Sequence, residues 1–305
     1  MSNLERVDAS RTLVTGSDGF VGRHFCGQYG GIPLADSQGR IDLSDRARLR
    51  SAIASAKPEA VLHLAAQSSV AASMRNPEAT FQVNFFGTLH LLEALDAAGF
   101  QGVLLYVGSA DVYGRTDDAD LPSRESQPLR PLSPYAVSKV AAEALCYQWS
   151  QLRKFRVVLA RPFNQIGPGQ DARFAAVQFA RQVSRIRRGL QPPVITTGDL
   201  DVTRDFTDIR DAIRAFYMLL DRGENGEIYN ICSGQEQSLR SLVESFLLIS
   251  GVKAELRIDR ERLRPAEQRR IVGNSDKIRA AVGWKPEIPL HTTLADILRE
   301  EDEKQ

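Results

Sequence analysis

The sequence predicts an α/β protein with a Rossmann-like, doubly wound parallel sheet and a smaller, discontinuous α/β lobe. Short apolar runs alternate with helix-like segments through the first half of the chain, which favours parallel strands covered by helices on both faces. A glycine-rich turn follows the first apolar run. After residues 161–169 the alternation changes, so we expect the second half to build a different unit.

The domain organisation follows from that change of pattern. We expect residues 1–165 to form a dinucleotide-binding domain, completed by a segment of about residues 205–232. Within that segment, the apolar run 228–232 is the strand expected to rejoin the main sheet. Residues 166–204 and 233–305 would form the second lobe, which faces the carboxyl ends of the strands.

The first apolar run, Thr12–Thr15, ends in a turn whose glycines are spaced three apart. Between a strand and a helix, such glycines allow a tight turn, backbone approach to a pyrophosphate and close helix packing. The phosphates would lie at the helix N-terminus. The alternative to cofactor binding is a turn with a purely structural role. The predicted cofactor-binding residues of this turn are Gly16, Asp18, Gly19, Phe20, Val21 and Gly22.

The second predicted strand spans residues 31–35 and ends at Asp36, fourteen positions after Gly22. The acidic residue of the fingerprint usually follows about 20 residues on, so we expect a first helix shortened by about one turn. Asp36 would accept hydrogen bonds from the adenosine ribose and favour NADH, whereas Arg40 would favour the 2′-phosphate of NADPH. The sequence leaves this preference open.

Two further stretches are placed to line a cofactor. Asp42 and Leu43 suit the adenine edge, although capping of the next helix by Ser44 or Asp45 is an equal alternative. The third predicted strand, residues 60–66, ends in small residues that leave room for a cofactor. That end of the strand consists of Leu64, Ala65 and Ala66.

Two polar residues of this half have other expected roles. His63 lies inside the third strand and is predicted to be a packed structural histidine rather than a catalytic base. Residues 81–100 predict a long helix carrying Asn84, whose amide is expected to tie neighbouring strand backbones together.

A candidate catalytic set lies between the fourth predicted strand, Val103–Val107, and the helix from Tyr135 to about residue 152. The strand delivers Ser109, and Tyr135 and Lys139 share a helix face because they are four residues apart. An ammonium near a phenol favours the phenolate, and a Ser hydroxyl can bind the oxygen that the Tyr protonates. Tyr and Lys also occur at this spacing by chance, but the upstream glycine turn favours a catalytic carbonyl/alcohol site.

The second half contains a predicted helix over residues 174–188 with a basic face, for which a solvated surface explains most of the charges. A predicted strand follows at residues 194–196. A Gly-Trp-Lys-Pro stretch at residues 283–286 precedes the last helix.

Composition excludes several classes of function. The net charge of +1 over 305 residues gives no indication of a nucleic-acid or anionic-membrane surface. Residues 1–11 are polar, so neither a signal peptide nor a membrane span is predicted. Cys26, Cys146 and Cys232 are far apart and form no metal-like cluster, so we expect no metal site and a reducing, cytoplasmic setting.

Taken together, these motifs resemble those of the extended short-chain dehydrogenase/reductase family that acts on nucleotide sugars. The similarity covers nearly the whole chain, and the motifs are specific when they occur in this order. The stretches that carry it are residues 15–22, 63–66, 109, 135–139, 161–164 and 283–286.

Within that family, three stretches are similar to the reductases of GDP-4-keto-6-deoxy sugars: residues 163–170, 201–211 and 262–267. The resemblance implies reduction of the C4 ketone of GDP-4-keto-6-deoxy-D-mannose to GDP-D-rhamnose. NADPH is the implied cofactor, with NADH as the alternative, and a homodimer formed through a helix pair of the main domain is implied as well.

The resemblance also implies a role for each site residue. Tyr135 would protonate the C4 oxygen, Lys139 would hold the nicotinamide ribose and lower the Tyr135 pKa, and Ser109 would bind the reacting oxygen. Arg204 and Arg264 would meet the diphosphate with their guanidinium forks. The implied substrate-binding residues are Ser68, Ser109, Asn164, Arg204, Arg264 and Glu267, with Glu267 either contacting the ligand or orienting Arg264.

Two departures from the family pattern keep alternatives open. Gln165 stands where a His is expected, which leaves its role undefined. Asp111 is a further catalytic candidate, but related 4,6-dehydratases carry a Glu there, one methylene longer, so elimination geometry is less favoured. The alternatives to a reductase are a GDP-mannose 4,6-dehydratase or 4-epimerase that retains its cofactor, or a cofactor-sensing protein without catalysis.

Overall fold

The computed structural model, which describes residues 6–262 and 268–304, contains thirteen strands and eleven α-helices within those residues. The strands are β1 (Thr12–Thr15), β2 (Ile32–Pro33), β3 (Ala35–Asp36), β4 (Gly39–Arg40), β5 (Ala60–His63), β6 (Val103–Val107), β7 (Arg156–Pro162), β8 (Asn164–Ile166), β9 (Val194–Thr197), β10 (Thr203–Asp208), β11 (Ile228–Ile231), β12 (Glu236–Ser238) and β13 (Glu255–Ile258). The helices are α1 (Phe20–Tyr29), α2 (Arg46–Ala56), α3 (Val70–Arg75), α4 (Pro77–Phe81), α5 (Gly87–Ala97), α6 (Pro134–Leu152), α7 (Ala175–Arg187), α8 (Ile209–Arg222), α9 (Leu239–Ser250), α10 (Asp276–Val282) and α11 (Leu290–Glu303).

The main sheet has six parallel strands in the order β11-β7-β6-β5-β1-β2. This confirms the predicted α/β class and the parallel sheet, and β11 rejoins the sheet beside β7. The chain runs outward from β1 in both directions, so the order reverses beside β1. In doubly wound sheets, ligands bind outside the carboxyl ends of the strands at such a point.

Both faces of the main sheet are covered, because successive strand residues point to opposite sides. On one face, Val14, Leu62 and Leu105 pack with α1, α8 and α10. On the other face, their neighbours pack with α2, α5 and α6. A separate core lies among α7, α9 and α11, beside the short sheets β12-β10-β8 and β13-β9. The domain boundaries at about residues 165, 205 and 232 stay a prediction.

The second strand differs from its prediction. Only Ile32 and Pro33 pair with β1, and the chain then turns into the antiparallel hairpin of β3 and β4. Pro33 has no N–H to continue a ladder, and Gly39, with φ of 100°, makes the tight turn. Asp36 therefore lies in the hairpin and not at the end of a long parallel strand.

The predicted long helix over residues 81–100 is also interrupted. It begins earlier, as α4, passes through a π-helical turn at Gln82–Phe86 and continues as α5. π-helical turns are often found at functional sites, and this one carries Asn84.

The basic face of α7 is exposed at its arginines, as the sequence predicts, and three of these arginines also contact the C-terminal segment. Arg181 pairs with Glu301 at 3.0 Å, Arg187 pairs with Asp302, and Arg188 donates to the carbonyl of Lys304 at 3.1 Å. These contacts connect the end of α7 to the last helix, but ion pairs with such exposed arginines add little stability.

The Gly-Trp-Lys-Pro stretch has a structural role. Trp284 is fully buried and donates from Nε1 to the carbonyl of Asp211 at 3.0 Å. The Asp211 carboxylate accepts bonds from the backbone N–H groups of Glu287 and Ile288 at 2.9 and 2.8 Å. Trp284 and the segment that leads into the last helix are thus held against Asp211 of α8. In the described part of the chain, no helix is long and apolar enough to span a bilayer.

Candidate active site

A large cavity of about 1630 Å³ opens at the carboxyl ends of β1, β5, β6 and β7 and extends to the smaller lobe. Ligand pockets usually measure about 300–1,000 Å³. The cavity therefore has room for two sizeable ligands side by side. Among residues 6–262 and 268–304, no group of three His, Cys, Asp or Glu side chains is arranged to hold a metal ion.

The glycine turn forms one end of the cavity. Gly16 has φ of 68°, and a Cβ there would lie 2.8 Å from the backbone nitrogen of Ala65. A Cβ on Gly22 would lie 2.4 Å from the carbonyl oxygen of Gly16. No described side chain caps α1 at Gly19, so its first N–H groups are available to an anion. This cradle of backbone, which side chains would fill, fits the pyrophosphate of a dinucleotide.

The other predicted cofactor residues divide into two groups. Those that line the cavity with the glycines are Asp18, Phe20, Val21, Arg40, Asp42, Leu43, Leu64, Ala65 and Ala66. Arg40 forms an ion pair with Asp18 at this end of the cavity. The prediction for Asp36 is not supported, because its carboxylate accepts two bonds from Arg48, at 2.8 and 2.6 Å, and is not among the lining residues.

The catalytic candidates come from two neighbouring elements. Ser109 follows β6 and caps a short 3₁₀ turn. Ser133 caps α6 by accepting a bond from the Ala136 N–H at 3.1 Å, which starts the helix directly before Tyr135. Tyr135 and Lys139 are both buried, at 8% and 5% exposure, and both line the cavity with Ser109. Ser109 lies close enough to Tyr135 for its hydroxyl to affect the pKa of the phenol.

The electrostatics of this set differ from the sequence-based expectation. Burial raises the pKa of Tyr135 above its usual range, the Asp111 carboxylate adds to the rise, and the Ser109 hydroxyl opposes it. Burial lowers the pKa of Lys139 to about 8, and its ammonium donates to the carbonyl of Val107 at 2.9 Å. The expected lowering of the Tyr135 pKa by Lys139 is therefore wrong for this structure, since burial dominates. The phenol keeps its proton at neutral pH.

His63 has the structural role predicted for it. The ring is 2% exposed and lies between the hydroxyls of Thr15 and Thr88, at 2.7 and 2.9 Å. Burial lowers the pKa of His63 to about 3, so the imidazole stays neutral at physiological pH.

Asn84 has a role different from the one expected. Its amide oxygen accepts a bond from the Gln67 N–H at 2.8 Å, and its amide nitrogen donates to the Ser138 hydroxyl at 2.9 Å. These bonds connect the loop after β5 to α6 and do not tie two strands. Asn84 therefore supports the helix next to Lys139.

The predicted substrate residues are only partly described. Ser68, Asn164 and Arg204 line the cavity on the side of the smaller lobe, and Gln165 lies beside Asn164. Arg204 is 8% exposed and donates to the carbonyls of Thr203 and Gln268, at 2.7 and 3.1 Å. The predictions for Arg264 and Glu267 fall outside the described residues.

Sequence reasoning missed one buried pair next to the site, Glu143 and Arg161. Glu143 is four residues after Lys139 on α6, and the two guanidinium contacts to its carboxylate make the pair bidentate. The spacing of Tyr135, Lys139 and Glu143 along one helix face was a signal for Glu143 in the sequence. Its partner on β7 is visible only in the fold.

Comparisons with known proteins agree with this geometry. The family described as GDP-mannose 4,6 dehydratase matches residues 38–297. GDP-6-deoxy-D-mannose reductase of Pseudomonas aeruginosa is 44% identical over 292 residues, covering 94% of this chain and 96% of the relative. The structure of RMD from Pseudomonas aeruginosa complexed with NADPH has a TM-score of 0.91 at 43% identity, covering 96% of this chain and 99% of that chain. The structure of UDP-glucose 4-epimerase from Thermus thermophilus in complex with NAD has a TM-score of 0.83 at 26% identity. It covers 96% of this chain and 99% of that chain.

Proposed function

The chain belongs to the GDP-mannose 4,6-dehydratase family of extended short-chain dehydrogenase/reductases, and on that basis we propose that it reduces GDP-4-keto-6-deoxy-D-mannose to GDP-D-rhamnose with NADPH. The observation that carries the proposal is a buried, protonated Tyr135 beside Ser109 in the same cavity as the glycine cradle. Reduction of a ketone requires a proton donor at the oxygen. A phenol that keeps its proton supplies one.

Each residue of the cavity would have a separate role in the reduction. NADPH, when bound, supplies the hydride to C4 of the sugar. The Ser109 hydroxyl would hold the C4 oxygen, and the Tyr135 phenol would give its proton to that oxygen as the C4 carbonyl is reduced to an alcohol. The Lys139 ammonium would bind the ribose of the cofactor. Solvent then returns the proton to Tyr135.

Substrate binding is proposed for the lobe side of the cavity. Asn164 and Ser68 provide hydrogen-bonding groups beside the catalytic set, and Arg204 provides a cation for the diphosphate. Arg264 and Glu267 are kept as proposed substrate residues on the strength of the sequence alone.

A stoichiometric assay tests the proposal. Loss of NADPH absorbance is followed with GDP-4-keto-6-deoxy-D-mannose, and GDP-mannose without added reductant is run in parallel. One NADPH consumed per sugar reduced is expected. Conversion of GDP-mannose without reductant, and no NADPH consumption with the keto sugar, would contradict the reductase in favour of the dehydratase. In the dehydratase alternative, Asp111, which lies beside Tyr135, would take the place of the Glu of related 4,6-dehydratases.

Arg40 is expected to select NADPH over NADH. Replacement of Arg40 by Gln should raise the Kd for NADPH by about 10–100-fold, because a charge-assisted bond to the 2′-phosphate is lost, and should change the Kd for NADH by less than about threefold. Arg48→Gln is the matched control, since Arg48 bonds Asp36 and is not among the lining residues. Fluorescence titration of both cofactors measures the effect, and equal losses for NADH and NADPH would remove Arg40 from this role.

The lowered pKa of Lys139, about 8, predicts a pH dependence. The ammonium is present below that pH and is lost above it, so NADPH affinity and kcat/KM should fall as pH rises through about 8. An exposed lysine would keep its proton to about pH 10. The raised pKa of Tyr135 adds no loss in this range. In Lys139→Arg, whose guanidinium stays charged, the fall in NADPH affinity should move to higher pH; an unchanged fall would assign it to another group.

The quaternary structure is proposed to be a homodimer. Met74 on α3, Phe86 in the π-helical turn and Val137 on α6 are 62%, 39% and 41% exposed on helices that pack together. A second copy of this chain would cover these side chains. In Met74→Glu/Phe86→Glu, sedimentation equilibrium should show at least about a 100-fold weaker dimer, because apolar burial is replaced by paired like charges. A monomeric wild type would contradict the proposal.

A cytoplasmic location is also proposed. Cys26, Cys146 and Cys232 are all free thiols in the structure. Free thiols are typical of proteins from a reducing compartment.

A further inference from the structure

Glu143 and Arg161 form a buried ion pair next to the catalytic set that the mechanism does not use. The two residues are 5% and 2% exposed. Arg161 Nε donates to Glu143 Oε2 at 2.9 Å, and a second contact from Nη2 to Oε1 completes a fork-to-fork arrangement. Neither residue is among those that line the cavity, so neither is expected to touch a ligand.

The pair joins the three elements that carry the site. Glu143 lies one turn after Lys139 and two turns after Tyr135 on α6, so the three side chains share one face. Arg161 lies near the end of β7, three residues before Asn164. Its position therefore couples the helix of the proton donor to the strand that leads to the substrate side.

The loop that presents Ser109 packs against the same ion pair. The Gly108 N–H donates to the carbonyl of Ala160 at 2.7 Å. A Cβ at Gly108 would lie 3.6 Å from Glu143 Oε2 and 3.0 Å from the Ala160 oxygen. The backbone that presents Ser109 is thus packed directly against the carboxylate of Glu143 and the strand of Arg161.

The guanidinium also holds the loop that leads into α6. Arg161 Nη1 donates to the Tyr113 hydroxyl at 3.1 Å and to the carbonyl of Glu125 at 3.2 Å. Tyr113 in turn donates to Asn230 Oδ1 at 2.6 Å, which connects the network to β11. Two points of the segment between Ser109 and Tyr135, at Tyr113 and Glu125, are therefore held by one side chain.

We infer that the Glu143–Arg161 ion pair is the positioning element that holds Tyr135 and Lys139 in register with Ser109 and Asn164. This rests on the proposed reductase function. A buried ion pair is weak support for stability, because apolar residues of similar volume often replace it without loss. The planar, bidentate contact between the two side chains fixes the position of α6 relative to β7 much more closely than apolar packing does. A displacement of about 1 Å in such a site lowers turnover by about 100-fold.

The test separates geometry from stability. In Glu143→Leu/Arg161→Met, kcat should fall by about 100-fold. Because Arg161 also bonds Tyr113 and Glu125, the thermal midpoint of this variant should fall as well, to a degree comparable with that of the control variant Glu301→Gln. The deuterium isotope effect from labelled NADPH should rise, because hydride transfer becomes rate-limiting. Glu301→Gln is the control, since it removes a buried carboxylate from another ion pair, on α11; it should lower the thermal midpoint and leave kcat unchanged.

A second variant keeps the test decisive if the double variant does not fold. Arg161→Lys retains the charge and loses the fork, so kcat should fall by about 10-fold or more with little loss of stability. Full kcat in either folded variant would overturn the inference. If wild type shows no reductase activity, the proposed function fails, and crystal structures of wild type and Arg161→Lys then decide the positioning role by the separation of Tyr135 Oη from Ser109 Oγ.

Discussion

Replacement of Tyr135 by Phe is expected to lower kcat by about 10²–10⁴-fold, the range of general acid–base catalysis, while the NADPH Kd stays within about threefold. The ring is 8% exposed, and Phe keeps its packing in α6. The change removes only the hydroxyl, and with it the proton that neutralises the C4 oxygen. Ser109 then holds an oxygen that develops charge without a proton donor.

Stopped-flow turnover with NADPH and the keto sugar, together with fluorescence titration of NADPH, measures both quantities for the Tyr135 variant. Tyr29→Phe is the control, because Tyr29 lies on α1 and stacks on Tyr217 at a ring distance of 5.0 Å, and it is not among the cavity residues. Its kcat should equal that of wild type. A Tyr135→Phe enzyme with wild-type turnover would show that another group donates the proton.

Much of the site could be predicted because its residues are fixed by local rules. A glycine turn between a strand and a helix specifies the cradle around Gly16 and Gly22 from a few neighbouring positions. Ser109 is placed by the end of β6, and the four-residue spacing places Tyr135 and Lys139 on one face of α6. These features need no knowledge of distant contacts.

Features that depend on distant contacts were predicted less well. Asp36 was expected to meet the cofactor, but its carboxylate is held by Arg48, twelve residues further along. The direction of the Tyr135 pKa depends on how completely the loops bury the phenol, a property of the assembled fold. The partner of Glu143 comes from β7, eighteen residues away, and no local pattern identifies it.

Replacement of Gly22 by Ala is expected to weaken NADPH binding by at least about 100-fold, equivalent to about 3 kcal/mol. The new Cβ would lie 2.4 Å from the Gly16 carbonyl oxygen and 2.6 Å from Ser17 Cα. Both are backbone atoms of the phosphate turn and cannot rotate away. α1 must therefore separate from the turn, which misplaces the N–H groups that would meet the pyrophosphate.

Gly27→Ala is the matched control for this effect. Gly27 lies on the same helix, and a Cβ there meets nothing within 4 Å. Because Ala favours a helix by about 1 kcal/mol over Gly, this variant should raise the thermal midpoint slightly and keep the NADPH Kd of wild type. Fluorescence titration and thermal unfolding of both variants give the comparison. Equal NADPH affinity in the two alanine variants would mean that close packing of α1 on the turn does not determine cofactor binding.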